Sequence, residues 1–231
     1  MKKNILITQL LLTVLFSTNA YASNKGALGS CNGYAENCQN GWLLNHDGTC
    51  SENKISGKTP IGIIFYIDDL YSGKCGYAIS VEPAAKGIAW TSPYNGGNKG
   101  GAVSANSSTV YDNMASCTHT KRIISTGDKS LYPAAWTAKD YAPVAAQVTK
   151  GKWCLPAGGV LARVSLDLVN NALKKINSQN KFGENPVWSS TPSEEKGLIW
   201  VLCSYSNSCD NPLAKANDFI AGPDVWPVIT F

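Results

Sequence analysis

Carboxylate and amide side chains stand in short pairs in the C-terminal third of the sequence. Glu184 and Asn185 precede a proline, and Asn217 and Asp218 lie within KANDF. Calcium binds six to eight hard oxygen atoms, which these side chains can supply. We therefore treat the four residues as candidate calcium ligands. The competing interpretation is that they form turns, because Asn and Asp side chains readily hydrogen-bond to nearby backbone in loops.

Aromatic side chains beside a loop suggest a second kind of ligand chemistry. Trp90 and Tyr94 border residues 92–108, which are rich in Gly, Asn and Ser, and Trp42 lies among turn-forming residues. A flat aromatic face beside hydrogen-bonding groups suits a sugar ring. These three residues are the candidate ligand-binding residues. The alternative is that they pack in the core, where most tryptophan side chains are largely buried.

Catalytic groupings are not apparent in the sequence. A nucleophile activated by histidine needs a positioned imidazole, and neither His46 nor His119 accompanies a nucleophile motif. Acid pairs such as Asp68-Asp69 would serve a glycosidase only if the fold brought two carboxylates together. We therefore expect a protein without enzymatic activity and without a cofactor, apart from the calcium considered above.

The number of cysteines indicates disulfides. The eight cysteines are Cys31, Cys38, Cys50, Cys75, Cys117, Cys154, Cys203 and Cys209. An even number behind an export signal is typical of a disulfide framework. We expect Cys117 to pair with Cys154 and Cys203 with Cys209, and the first four cysteines to pair among themselves. Zinc is the alternative, but C-x-x-C spacing is absent and the two histidines are not clustered.

The N-terminus has the pattern of a secretory signal peptide. Lys2 and Lys3 precede an apolar run at residues 5–16, and Ala20-Tyr21-Ala22 is an A-x-A cleavage pattern. The run is shorter than the roughly 20 residues that a transmembrane helix needs. We expect residues 1–22 to be removed and the chain to be exported to the periplasm, cell surface or medium. Retention as an uncleaved anchor is the alternative.

The composition of the remaining chain argues against a nucleic acid partner and against a transmembrane segment. The whole chain has 20 basic and 16 acidic residues, and loss of Lys2 and Lys3 leaves 18 against 16. A nucleic-acid-binding protein presents a strongly basic face, so we expect no nucleic acid partner. No second apolar segment is long enough to span a bilayer, so we expect no transmembrane segment after signal cleavage.

Strand-like runs stand on both sides of a helical middle. The expected strands are 61–67, 76–81, 88–91, 186–191, 198–204 and 224–231, and the expected helices are 113–124, 131–142 and Leu161–Ile176. This order, strands then helices then strands, indicates an α+β fold. Before the longest helix stands GKWCLPAGGVL (residues 151–161), which we interpret as scaffold because each of its features has a packing role. A ligand-binding role for Trp153 is the alternative.

Several motifs together resemble a known bacterial family. YPAAWTAKDYAP, KGKWCLPAGGVL, VNNAL, WSST and VWPVITF occur in that order and are similar to motifs of the domain at the C-terminus of collagen-like adhesins, the Lcl C-terminal-like family. The resemblance implies a C-type-lectin-like fold, with two or three helices, a twisted mixed sheet and long loops. It also implies surface proteins, some of which bind host polysaccharide. Val160-Leu161 replaces the usual Glu-Leu, and Trp226 replaces a basic residue.

These observations predict a domain organisation and a function. We expect a signal peptide at 1–22, a cysteine-rich head and connector at 23–57, and a lectin-like domain at 58–231. The predicted function is an exported, non-enzymatic recognition or adhesion module that binds a glycan or a surface protein. The alternative is a structural subunit of the cell envelope or of a surface appendage, and a secreted hydrolase is the third hypothesis. The oligomeric state does not follow from the sequence.

Overall fold

Two antiparallel sheets and several short helices make up the fold. A computed structural model describes residues 38–68, 75–93, 99–143, 149–203, 213–217 and 222–231. The strands are β1 Leu43–Asn45, β2 Cys50–Ser51, β3 Pro60–Asp68, β4 Cys75–Ser80, β5 Val187–Pro192, β6 Leu198–Leu202, β7 Leu213–Asn217 and β8 Val228–Thr230. The helices are a 3-10 helix at Val110–Asp112, α1 Ser116–Thr126, α2 Pro133–Asp140, α3 Gly158–Leu161 and α4 Leu166–Lys175. The α+β prediction is confirmed, and the C-type-lectin-like topology stays a prediction.

The larger sheet has five strands in the order β2-β1-β3-β4-β8. Its central strands are β-branched and aromatic, as in PIGIIFYID of β3, and every residue of β4 is buried. Side chains of β3 divide between two apolar clusters, with Ile63 and Phe65 in one and Ile61 and Ile64 in the other. Both faces of this sheet are therefore covered.

The segment expected to form a separate head contributes strands to this same sheet. Leu43 and Leu44 of β1 pair with Ile63 and Gly62 of β3, and both leucines are fully buried. The described part of the head, from Cys38 onward, is thus continuous with the main core. Two short strands were not expected here because the sequence between the cysteines is dominated by turn-forming residues.

The smaller sheet, β5-β6-β7, lies at the other end of the chain, and the helices depart from the expected boundaries. Residues 88–91 are not a strand, and the expected helix Leu161–Ile176 is two helices, α3 and α4. Ser165 separates them because its extended backbone and its hydroxyl, which accepts a hydrogen bond from the N–H of Leu168, begin a new helix.

Within the part of the chain that the structure describes, no helix has the length and apolarity to cross a membrane.

The stretch GKWCLPAGGVL ties the two sheets and α1 together. Residues 153–161 are buried without exception. The backbone of Cys154 exchanges two hydrogen bonds of 2.9 Å with Val228 at the start of β8, and Pro156 accepts one of 2.7 Å from the N–H of Ser190 in β5. The N–H of Ala157 donates to the hydroxyl of Ser116 in α1 at 2.8 Å. These bonds agree with the interpretation of the stretch as scaffold.

Trp153 has a packing role in this scaffold. It is fully buried, its indole N–H donates to the Thr149 hydroxyl at 3.0 Å, and the Tyr141 ring meets it edge-on with 5.1 Å between centroids. A buried indole with a satisfied N–H contributes stability through area and through this aromatic pair. The structure therefore leaves no exposed face of Trp153 for a ligand.

Candidate functional site

Trp90 does not present a face to solvent, which corrects its assignment as a ligand-binding residue. Its side chain is 1% exposed, its indole N–H donates to the backbone carbonyl of Ser189 at 2.8 Å, and the Tyr132 ring packs against it edge-on. Burial of the apolar ring between β5 and α2 is more favourable in free energy than exposure of the ring to solvent beside the loop. Trp42 is half-buried against the cluster around Leu44. Tyr94 lies outside the described residues.

The acid and amide pairs proposed for calcium have separate surroundings. The Asn185 amide donates towards both carboxylate oxygens of Asp224, at 3.3 and 3.4 Å, and the Gly87 N–H donates to the same carboxylate at 3.0 Å. Glu184 is exposed, Asn217 ends β7 opposite Leu198, and Asp218 lies outside the described residues. Among the residues that the structure describes, no three His, Cys, Asp or Glu side chains gather as a metal site. Calcium binding stays a prediction.

Asp224 is a buried carboxylate that was not among the site residues predicted from the sequence. Asp224 is 2% exposed, and this burial raises the pKa of its carboxyl. The hydrogen bonds from Gly87 and Asn185 and the charge of nearby Lys86 lower the pKa, but burial has the larger effect. Its backbone also pairs with Pro186 and Trp188. These partners give Asp224 a structural role, joining the residues before β8 to the start of β5.

Two disulfides join pairs of described cysteines. Cys117 of α1 is bonded to Cys154, and Cys38 is bonded to Cys50. Cys75 and Cys203 are disulfide-bonded as well, and Cys31 and Cys209 lie outside the described residues. Described cysteines are thus all oxidised, which is typical of proteins that leave the cytosol.

An open cleft of about 370 Å³ lies at the N-terminal end of α1. We call it the α1 cleft. Its lining includes Val103, Asp112, Met114, Thr118, His119 and Arg122. Its size falls in the range of small-ligand pockets, about 300–1,000 Å³. Three consecutive pieces of chain form its wall: the segment before the 3-10 helix, that helix, and the first two turns of α1.

The spacing of residues on α1 places its polar groups on one side of the helix. Thr118 and Arg122 are four residues apart, and His119 and Arg122 are three apart, so these side chains are neighbours on one face. Ala115, at the N-cap, supplies no side-chain acceptor to the helix. The N–H of Ser116, the first residue of α1, donates instead to the backbone carbonyl of Met114 at 3.0 Å, and the helix dipole adds partial positive charge at this end.

His119 is the buried polar residue of the α1 cleft. It is 2% exposed, and its Nδ1 atom has no hydrogen-bond partner. Burial lowers the pKa of His119, against the raising effect of the Ser190 backbone, so the imidazole is neutral at neutral pH.

The cleft was not predicted from the sequence, in which His119 was a candidate only for catalysis. The available signal was SCTHTKR, which puts a histidine and an arginine three residues apart on an expected helix. That signal is weak because the residues of the opposite wall, from Val103 to Asp112, belong to a segment whose folded path is irregular.

The chain was compared with known proteins by sequence and by structure. No protein-family model matches the sequence, and no curated protein matches it either. In structure, the chain is similar to a fimbrial protein of Bacteroides ovatus, with a TM-score of 0.55 and 13% sequence identity. The match covers 83% of this chain and 48% of that one. At this identity the likeness shows a shared fold, and the chain spans about half the length of its neighbour.

Proposed function

We propose that this chain is a structural subunit of a surface appendage, of the fimbrial kind. The observation that carries the proposal is the fold shared with the fimbrial protein over 83% of the chain. Disulfides and the lack of a membrane-spanning helix within the described ranges fit an extracellular or surface protein. A structural subunit was the alternative function predicted from the sequence. It replaces the recognition module as the leading proposal because Trp90, a candidate ligand-binding residue of that module, is buried in the core.

The edge of the smaller sheet offers a place for subunit contact. β7 pairs with β6 on one side, and no strand of the described segments lies on its other side. An unpaired edge exposes backbone N–H and C=O groups that can accept a strand from another chain. Lys215, near the middle of β7, is exposed, and a charged residue there disfavours unselective pairing.

The test is to locate the chain on cells that produce it. Filaments sheared from intact cells should contain the chain, and antibodies raised against it should label the filaments in electron micrographs. A periplasmic marker protein absent from the same fraction is the control for lysis. Recovery of the chain only with the periplasmic marker, and none of it with filaments, would contradict the proposal.

A second candidate is a recognition module, the main hypothesis from the sequence. The observation that favours it is the α1 cleft, with its open volume and the exposed charged residues Asp112 and Arg122 in its lining. The resemblance to the adhesin family supports the same candidate. An array of glycans and host matrix proteins, probed with calcium and with chelator, tests it. Binding that is lost in chelator would direct mutation to Glu184 and Asn217, and a silent array would count against glycans and matrix proteins as ligands.

A further inference from the structure

Helix α1 packs on the rest of the fold through a face that is mostly polar. Its buried residues are Ser116, His119, Thr120 and Ile123, so Ile123 is the apolar member of the four. The buried residues of α4, by contrast, are all apolar. Burial of apolar surface is the main force that holds a helix against a core. The hydrophobic effect therefore holds α1 less firmly than it holds α4.

Hydrogen bonds supply part of what holds α1 in place. The Ser116 hydroxyl accepts the N–H of Ala157 at 2.8 Å, and the Thr120 hydroxyl accepts the N–H of Leu155 at 3.0 Å. Hydroxyl groups of serine and threonine keep the same charge in neutral and in mildly acidic solution. These two bonds therefore do not respond to pH.

His119 is the residue of this buried face whose charge can change in mild acid, because histidine ordinarily titrates between pH 5 and 8. It is 2% exposed, and its Nδ1 atom has no hydrogen-bond partner. Both nitrogens of a protonated imidazole carry a hydrogen. Protonation in place would thus bury a charge together with an N–H donor that has no acceptor, and both are unfavourable. A protonated His119 is more stable in contact with water.

The elements packed against α1 do not compensate a charge on His119. β5 (VWSSTP) has no ionisable side chain, Cys154 is in a disulfide, and the buried face of α2 consists of Ala134, Ala135 and Ala138. Burial, and also the charge of Arg122 one turn along α1, lower the pKa of His119, whereas the backbone of Ser190 raises it. Asp112 lines the same cleft and favours protonation, but it is exposed, so solvent screens its charge.

A covalent link keeps the beginning of α1 attached to the core. Cys117, in the first turn, is bonded to Cys154, whose backbone exchanges hydrogen bonds with Val228. A disulfide has no group that titrates in this pH range. The turns of α1 that follow His119 can therefore leave the core while the first turn stays linked to it.

We propose that α1 is an acid-released helix. Protonation of His119 detaches the turns from His119 to Thr126 from β5, and the Cys117–Cys154 disulfide retains the first turn. Because α1 contributes Thr118, His119 and Arg122 to the α1 cleft, release opens that wall of the cleft. The inference goes beyond both candidate functions, since it concerns the response of α1 to pH in an appendage subunit and in a recognition module alike.

The direction of the effect follows from proton linkage. The pKa of His119 lies below its ordinary value of 6.5 while α1 is packed, and it returns to that value when α1 is released. The released state therefore binds more protons between these two pKa values. Packing of α1 is strongest above pH 7 and weakens as the pH falls through 6.5. Between pH 7.5 and pH 5 the ratio of released to packed α1 should rise about tenfold.

The test is amide hydrogen exchange of the full exported chain, oxidised, at pH 7.5 and at pH 5. Protection factors are compared because they divide out the direct effect of pH on the exchange chemistry. We expect the protection factors of the Ile123 and Ile124 amides in α1 to fall about tenfold at pH 5. The amide of Ile64 in β3, which donates to the carbonyl of Trp42, should keep its protection.

Two variants connect the effect to one side chain. His119→Gln has no group that titrates, so α1 should be equally protected at both pH values. His46→Gln is the matched control, because His46 is the other histidine of the chain and lies after β1, where its Nδ1 accepts the Thr59 N–H at 3.2 Å. This control should behave as the unaltered chain does.

Three results would overturn the proposal. They are protection of α1 that is the same at pH 7.5 and pH 5, an equal loss of protection in α1 and β3, and a loss in His119→Gln as large as in the unaltered chain. Where His119→Gln does not fold, the comparison of α1 with β3 in the unaltered chain decides, together with the ring signals of His119, which should titrate over the same pH range in which α1 loses protection.

Discussion

Single residues in this protein act mostly through hydrogen bonds and close backbone contacts. Asp47, in the turn between β1 and β2, accepts hydrogen bonds from the backbone and hydroxyl of Thr49, at 3.1 and 2.6 Å, and pairs with Lys58 at 3.1 Å. Partial burial by itself would raise the pKa of this carboxyl. The bonds from Thr49 and Lys58 outweigh that effect and lower the pKa from 3.8 to about 2.

Asp47→Asn should therefore lower stability in a pH-dependent way. A carboxyl whose pKa is lower in the folded state stabilises the protein above its unfolded value of 3.8, and this contribution is lost as pH falls towards 2. After allowance for partial exposure we expect a loss of about 1 kcal/mol at pH 7. Urea unfolding at several pH values measures it. A difference that stays constant from pH 7 to pH 2 would exclude this explanation.

Gly159 lies where any side chain would meet backbone. A Cβ atom at this position would be 2.4 Å from the carbonyl oxygen of Tyr111 and 2.7 Å from that of Asn113, and the Gly159 N–H donates to the latter. Gly159→Ala should destabilise the protein by about 3 kcal/mol, because backbone atoms must move. Thermal unfolding measures the change. Gly222→Ala is the control, since nothing lies within 4 Å of its Cβ, and equal effects of the two variants would contradict the argument.

At the scale of elements, the break between α3 and α4 shows what local signals do and do not reveal. Leu161, Val164, Leu168, Ala172 and Ile176 recur with helical spacing, which predicts one helix. The same spacing predicts that these positions face the core, and Leu161, Val164 and Ala172 are indeed buried. The break was missed because Ser165 is as acceptable on the exposed side of a continuous helix as it is at an N-cap.

Ser165→Ala should expose the role of that cap. Loss of the hydroxyl that accepts from the Leu168 N–H should destabilise the protein by about 1 kcal/mol, the usual effect of removing an N-cap side chain. Ser165→Asp keeps an acceptor at the N-terminus of α4 and should keep most of the stability. Chemical unfolding of the three proteins measures this. If both variants lose the same stability, the hydroxyl is not acting as a cap.

The whole molecule depends on covalent links between distant pieces of chain. The Cys117–Cys154 disulfide spans 37 residues and joins α1 to the stretch that contacts β5 and β8, whereas Cys38–Cys50 spans 12 residues. Cross-links restrict the unfolded chain, and longer spans restrict it more. We therefore expect the longer link to stabilise the fold more.

Replacing both cysteines of one disulfide tests this expectation. The double variant Cys117→Ala with Cys154→Ala should lose about 4 kcal/mol, and Cys38→Ala with Cys50→Ala about 3 kcal/mol, in the loop-entropy account. Equilibrium unfolding in guanidinium without reductant measures both. A larger loss from the shorter loop would mean that native contacts, and not the span, set the contribution.

The sequence by itself was sufficient for the α+β class, for the presence of disulfides and for the buried stretch at residues 153–161, because residue type and periodicity report directly on burial and local geometry. Only the tertiary structure showed that β1 joins β3, that Trp90 is buried against β5 and α2, and that His119, Arg122 and Asp112 line one cleft. Each of these features depends on where irregular segments pack against the core. Those positions are determined by contacts between residues far apart in the chain, which local sequence patterns do not encode.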